Sequence, residues 1–362
     1  MAFRTGPYHA VVLYLHDPDA LGELLPHQPR YRHDQLWRWL YQHPVLSTAQ
    51  MTNLPAALRE ELAEDLWPFA LTAEQRGDGG TTVKWLFTAP DGAGIEAVLM
   101  GYADRVTLCL SSQAGCALGC TFCATGQFGF ERHLEAGEIV AQVAYARAFL
   151  SEDGLPGAPG RLTNVVFMGM GEPLANYQRV REALRRMIEV MGMGARSITV
   201  STVGVVPGMR KLAEEPWQVN LAVSLHAADD QLRSQLVPLN RRYPLAEVEA
   251  AAAYYFERKR RRVSLEWTLI DGVNDTAEQA EKLAAIARRL RAHVNLIPLN
   301  PTPLSLQLPS PPARVERFAE WLREAGVNAT VRDTRGRDID AACGQLRAKE
   351  QPGKTGLATP RV

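Results

Sequence analysis

The 362-residue sequence predicts an α/β protein: a parallel sheet, open or closed into a barrel, preceded by a small N-terminal helical domain. Three observations carry this. From residue 106 onward, short β-branched runs alternate with amphipathic stretches. The unusual short motifs cluster just after those runs. The first 75 residues show three- and four-residue apolar spacing instead.

The elements follow in chain order. Residues 30–42, with Leu36, Trp37, Leu40 and Tyr41, read as a helix. Asn53-Leu54-Pro55 opens a second one through Leu58, Leu62 and Leu66, with Pro55 near its first turn. Residues 1–75 are therefore assigned to a helical accessory domain and 76–105 to a β-meander linker. The meander comprises TTVKWLFTAP, a turn at Asp91-Gly92-Ala93-Gly94, and IEAVLM, leading into RVTLCLS. Strands are expected over 106–110, 162–168, 197–201, 219–224, 263–269, 294–298 and 329–332. Helices are expected over 136–150, 176–190, 245–260, 276–290 and 312–325. The core domain spans 106–347. Residues 348–362, rich in Gly, Pro and Thr, read as a flexible tail.

Composition narrows the partners. Forty Lys and Arg balance forty Asp and Glu, so any RNA site must be a local patch. Residues 1–75 carry five Lys or Arg against nine Asp or Glu, so an RNA contact there would rest on shape and few charges. Arg258 through Arg262 form the densest basic run, which reads equally as a phosphate contact or a solvated turn. Arg332, Arg335 and Arg337 lie nearer the C-terminal motif. No apolar run approaches the ~20 residues of a membrane helix. The N-terminal stretch lacks a signal-peptide cleavage site, which predicts a cytoplasmic protein without membrane association.

Five cysteines are present, and Cys109, Cys116, Cys120 and Cys123 lie close together, with Cys343 far away. Cys116-Ala-Leu-Gly-Cys120-Thr-Phe-Cys123 is a CxxxCxxC loop. Three thiolates can hold three irons of a [4Fe–4S] cluster and leave the fourth open. Zinc is the alternative, but it favours four ligands in separated pairs. Disulfides fit poorly in a cytosolic chain. Other motifs follow the predicted strands: GMGEP at residues 169–173, Ser201-Thr202-Val203-Gly204, Ser224-Leu225-His226 and Leu299-Asn300-Pro301. Binding residues gather after the carboxyl ends of parallel strands, so these motifs predict one site at one mouth.

A CxxxCxxC loop after the first strand of a βα repeat is the hallmark of the radical S-adenosylmethionine (SAM) superfamily. The stretch TLCLSSQAGCALGCTFCATGQFGF goes further and is similar to the RlmN/Cfr family of radical SAM RNA methyltransferases. So are YRHDQLWRWLYQ, MTNLP, IEAVLM, FMGMGEPLAN, STVGVVP, VSLHA, LIDGVNDT, VNLIPLNP and DIDAACGQL, so the resemblance spans nearly the whole chain. Glu172-Pro173 and Ile297-Pro298-Leu299-Asn300 look like the RlmN branch, because the Cfr pattern has Ala after the Glu and Arg-Tyr before the Asn.

The resemblance implies a partial (β/α)6 TIM-type barrel as radical SAM core. It implies a [4Fe-4S] cluster on Cys116, Cys120 and Cys123, and SAM held by Gly171, Glu172, Ser201, Ser224, Leu225, His226 and Asn300. Two SAM are consumed per turnover, with Cys343 passing through S-methylcysteine. Cys109 is then the resolving thiol, forming a transient disulfide with Cys343, and Glu96 the proton acceptor. The expected product is 2-methyladenosine, at adenosine 2503 of 23S rRNA and adenosine 37 of tRNA. An external donor of flavodoxin type and a monomeric state are expected as well. Read without the resemblance, Glu96 is a solvated acid on an alternating strand and Cys343 a small buried residue. The alternatives are C8 methylation of the same adenosine, a radical SAM enzyme with another substrate, and a zinc-stabilised RNA-binding module.

Overall fold

The computed structural model describes residues 12–300, 307–332, 335, 336, 339 and 346. Short helices come first: α1 (Leu21–Leu24), α2 (Arg30–Trp37) and α3 (Ala56–Glu61). Pro55 stands just before α3, where its missing N–H leaves no helical bond unmade. Twelve strands follow among the described residues: β1 (Ala70–Gly77), β2 (Thr82–Thr88), β3 (Gly94–Gly101), β4 (Val106–Cys109), β5 (Gln113–Gly115), β6 (Phe130–His133), β7 (Asn164–Phe167), β8 (Ile198–Thr202), β9 (Asn220–Ser224), β10 (Ser264–Leu269), β11 (His293–Pro298) and β12 (Ala329–Val331). Between them lie α4 (Ala124–Gln127), α5 (Ala136–Glu152), α6 (Tyr177–Arg185), α7 (Val206–Glu214), α8 (Asp230–Leu236), α9 (Leu245–Lys259), α10 (Ala277–Leu290) and α11 (Pro312–Glu324).

Ten strands form one sheet in the order β1-β2-β3-β4-β7-β8-β9-β10-β11-β12, and β5 and β6 form a separate hairpin. The first four pair antiparallel. From β4 to β12 every pairing is parallel. Six successive strand-helix units, from β4 with α5 to β11 with α11, make the partial (β/α)6 barrel, and β12 adds one more parallel strand. Two described residues beyond β12 contact the antiparallel strands and their loops. The Gly336 N–H donates to the Asp78 carboxylate at 2.7 Å. The Arg335 guanidinium lies over the Tyr102 ring at 4.7 Å.

Strand alternation sorts side chains between two environments. In β10, Leu265, Trp267 and Leu269 join the main core, where Trp267 stacks on Phe318 of α11 with ring centroids 5.9 Å apart. Glu266 and Thr268 point the other way, into the barrel. In β3 the outer residues are Ile95, Ala97 and Leu99. Val98 and Met100 face inward and pack with Cys109, Val166 and Met168.

The N-terminal region docks on α5. A Cβ at Gly137 would stand 2.1 Å from the Tyr14 carbonyl oxygen, so only glycine permits this approach. Aromatic rings close the junction, with Tyr145 of α5 edge-on to Trp67, Trp85 and Phe87. Arg186, beyond α6, donates to the carbonyls of Tyr14 at 3.0 Å and His16 at 2.9 Å.

The six core strands fall within a residue or two of the expected positions. β1 is different, because it occupies residues that the helical reading extended to residue 75. Its sequence ALTAEQRG is mostly exposed, and it is a strand because β2 offers it an antiparallel ladder, interrupted by an irregularity between Leu71 and Ala73. The expected helices over 30–42 and 176–190 each finish in a wider turn, at Arg38–Gln42 and Arg186–Val190. No helix among the described residues is long and apolar enough to cross a membrane.

Candidate active site

The loops after the parallel strands meet in one cavity of about 240 Å³. Its lining runs from Cys116, Cys120 and Cys123 through Gly171, Glu172, Ser201, Ser224 and His226 to Thr268, Ile297 and Arg332. Contributions from β7 through the residue after β12 require the sheet to curl around it. Five of the seven residues expected to hold SAM line this cavity. Leu225 and Asn300 are not among the lining residues. Leu225 is turned into the main core, and its carbonyl accepts from Arg233 at 3.1 Å.

The cysteine loop is set by the β5–β6 hairpin. Gly115 has φ +77°, and a Cβ there would lie 2.1 Å from the Gly129 oxygen, so the hairpin closes only on glycine. Cys116 N–H donates to that same Gly129 carbonyl at 2.8 Å. Cys123 N–H donates to Cys120 O at 3.2 Å, and Cys123 then starts α4. Burial pushes the Cys116 thiol up to about 12 and the Cys120 thiol well above its usual range. Left alone these groups stay protonated, whereas a bound metal deprotonates a coordinating thiol outright.

The donor set fits a [4Fe–4S] cluster with one open iron. Three soft sulfurs come from one tight loop, while Cys109 stands apart on β4 among Val98, Met100 and Met168. Among the described residues, no three His, Cys, Asp or Glu side chains are grouped so as to hold a single metal ion. The buried Thr125 hydroxyl, also lining the cavity, has no hydrogen-bond partner among the described residues and is available to a bound group.

Opposite the cysteines, Glu172 is the most constrained group. Its two oxygens accept from Leu174 N–H and Val203 N–H, both at 2.9 Å. Its own N–H donates to Gln113 Oε1 at 2.8 Å. Burial raises its carboxyl to about 7, against the lowering effect of those hydrogen bonds and one from Thr202. Ser201 and Ser224 hydroxyls sit 3.4 Å apart on neighbouring strands. His226 has φ +59° and its Nδ1 accepts from Thr268 N–H at 3.0 Å. Burial, helped by Arg233, depresses it to about 3, so the ring is neutral and Nδ1 is already engaged.

Glu96 and Cys109 come together on the inner wall beside this cavity. Glu96 is only 2% exposed and pairs with fully buried Lys84, with Nζ and Oε2 3.0 Å apart. The solvated-acid alternative therefore does not hold. Cys109 is opposite Val98 on β3, two residues beyond Glu96. Met168 belongs to both the Cys109 cluster and the cavity lining, which joins the two. Arg332 contacts Met168 Sδ at 3.8 Å. Lys84→Met would remove the counter-charge of a buried carboxylate and should cost roughly 3–5 kcal/mol of stability. Urea denaturation measures this, and a loss under about 1 kcal/mol would show that the pair is dispensable.

Comparison with known proteins decides the family. Residues 26–66 match the ribosomal RNA large subunit methyltransferase N-terminal domain and residues 110–287 the radical SAM superfamily. A probable dual-specificity RNA methyltransferase RlmN from Parafrankia sp. (strain EAN1pec) is 54% identical over 89% of this chain and 87% of the relative. The chain belongs to the RlmN family of radical SAM methyltransferases. The RlmN of Salinispora tropica is 52% identical, over 90% of this chain and 89% of its own. A solved radical SAM methyltransferase from Sphaerobacter thermophilus superimposes with TM-score 0.86 at 49% identity, covering 93% of this chain and 99% of that one. As an RlmN-family radical SAM enzyme, the chain uses a [4Fe–4S] cluster and SAM.

Some expectations fall elsewhere. Cys343 and Arg337 lie outside the described residues. No disulfide is present among the described residues, so the expected bond from Cys109 has no support in this structure. The Arg258–Arg262 run begins at the end of α9 and precedes β10, at the barrel end opposite the cavity. Arg258 pairs with Glu214, Lys259 donates to the Glu215 carbonyl and Arg261 to Asn220. That run is largely spent on internal contacts. Lys84, Gln113, Thr125, Arg233 and Glu266 were not singled out from sequence. Glu266 had a legible signal, a lone acid in the apolar strand SLEWTL.

Proposed function

We infer that the protein is a radical SAM methyltransferase that forms 2-methyladenosine in 23S rRNA and tRNA. The observation that carries this is the convergence of a three-cysteine loop and the Glu172, Ser201 and Ser224 strand ends in one cavity, with Cys109 and Glu96 on the adjoining wall. When bound, the cluster and SAM supply methyl groups and a carbon radical able to take hydrogen from an unactivated C–H bond.

The chain's own residues organise that chemistry. Cys116, Cys120 and Cys123 hold the cluster. Glu172 accepts from the SAM ammonium group, and Ser201, Ser224 and His226 line the remainder of its site. Adenine C2 carries hydrogen and is electron-poor, so it is no nucleophile for a methyl cation equivalent. Cys343 instead carries the methyl as S-methylcysteine, gives up one hydrogen atom to that radical and bonds through the resulting methylene to C2; the odd-electron adduct would return one electron to the cluster as it loses the C2 proton. Glu96, held beside Lys84, takes the C2 proton as general base. Cys109 then attacks the Cys343 sulfur and breaks its bond to the new carbon, which takes a proton to become the methyl group; the Cys109–Cys343 disulfide left behind is reduced by an external thiol before the next turnover. The described residues before Cys343 support this placement, since Arg332, Arg335 and Gly336 are anchored on Met168, Tyr102 and Asp78 beside that wall. The reading includes a cytoplasmic monomer served by a flavodoxin-type donor.

A pH effect follows from Glu172. Below about pH 7 its carboxyl is protonated and must ionise to accept from an ammonium group. SAM affinity should therefore fall as pH drops below 7, by up to ~10-fold per unit. Glu172→Gln should bind weakly with little pH dependence, and an unchanged pH profile in the variant would assign the effect elsewhere.

The function itself is tested with methyl-labelled SAM, reconstituted enzyme, reductant and either a 23S rRNA fragment or tRNA. Reductant-dependent label in RNA is expected. SAM cleavage without any label in either RNA would sink the substrate assignment.

A further inference from the structure

A buried cation stands behind the cysteine loop, and no step described so far uses it. Arg233, on α8, has no exposed surface. Its guanidinium donates to the carbonyls of Val203 at 2.5 Å, Leu225 at 3.1 Å and Ser224 at 3.4 Å, and to Asn240 Oδ1 at 2.8 Å. All four partners are neutral. Asp230, the carboxylate that acts on it through space, is bonded instead to Asn240 Nδ2 at 2.9 Å and Leu245 N–H at 2.8 Å. A fully buried guanidinium that meets only dipoles is costly unless a counter-charge is close.

The cysteine loop is in that place. The Leu236 carbonyl at the end of α8 accepts from Thr121 N–H at 3.1 Å, and Leu236 and Val237 share a small buried cluster with Cys120. The Arg233 charge would favour a thiolate at Cys120, against the burial that raises that thiol. A [4Fe–4S] cluster with three thiolates is a net anion and gains further negative charge on reduction. A nearby buried cation stabilises the reduced state most, because low-dielectric surroundings screen it little. The same side chain ties the loops after β8 and β9. The Val203 peptide is held on both sides, its carbonyl by Arg233 and its N–H by Glu172.

We propose that Arg233 is the built-in counter-charge of the cluster, a positioning residue that raises its reduction potential while fixing the two SAM-binding loops. This rests on the reading that Cys116, Cys120 and Cys123 hold the cluster. The test is a potentiometric titration of reconstituted wild type, Arg233→Lys and Arg233→Gln, followed by electron paramagnetic resonance, with iron content measured alongside. The Gln variant should shift to a more negative potential while the Lys variant stays near wild type, even though both lose the fork that binds the loops. Equal potentials for wild type and Gln overturn the proposal, as does an equal shift in Lys and Gln. If circular dichroism shows that the Gln apoprotein is unfolded, Lys alone decides: a wild-type-like potential supports the proposal and a strong negative shift overturns it. A Cys120→Ala protein that loads the full complement of iron would refute the cluster assignment, independently of Arg233.

Discussion

Replacing Cys343 by alanine should abolish RNA methylation while iron content and reductive SAM cleavage persist. The reason is chemical. Adenine C2 cannot displace a methyl group from SAM, so the carbon must arrive already activated and covalently carried. No other thiol is positioned to replace Cys343. In the proposed reading Cys116, Cys120 and Cys123 hold the cluster, and Cys109 is 7% exposed on β4, in a cluster with Val98 and Met100. Loss of the covalent route should lower methylation by about 10³-fold or more. Methyl transfer that survives in Cys343→Ala, with the cluster intact, would remove the S-methylcysteine step from the account.

The Cys109→Ala variant should fail differently, by trapping RNA on the protein. In the proposed mechanism, methylation of Cys343 and bond formation to the base do not need Cys109. Release does, because a thiolate must attack the Cys343 sulfur. The variant should therefore complete a single turnover and accumulate a protein–RNA adduct that survives denaturing electrophoresis. Combining it with Cys343→Ala should abolish the adduct. Repeated turnover by Cys109→Ala would assign resolution to another group.

Lys84 and Glu96 show why the site was only half legible in sequence. The parallel strands could be read because β-branched runs stand between turn residues, and the loop motifs could be read because their residue types are unusual at those places. The inner wall could not. Alternation in TTVKWLF and IEAVLM normally marks one buried and one solvated face. Here the barrel encloses the second face too, so Thr82, Lys84 and Glu96 are buried polar groups that look like surface ones. Arg233 was hidden for the same reason: in DDQLRSQL it resembles an ordinary exposed helix charge, yet it lies under the cysteine loop. β1 was missed because its strand state depends on its neighbour β2 rather than on its own sequence.

Identifying the methylated nucleoside tests the central claim most directly. The reconstituted enzyme would be incubated with SAM, reductant and a 23S rRNA fragment, and the digested nucleosides compared with standards by mass spectrometry. The account predicts 2-methyladenosine, lost in Cys343→Ala and in variants of Cys116, Cys120 or Cys123. Formation of 8-methyladenosine, or of no methylated adenosine while SAM is cleaved, would contradict it.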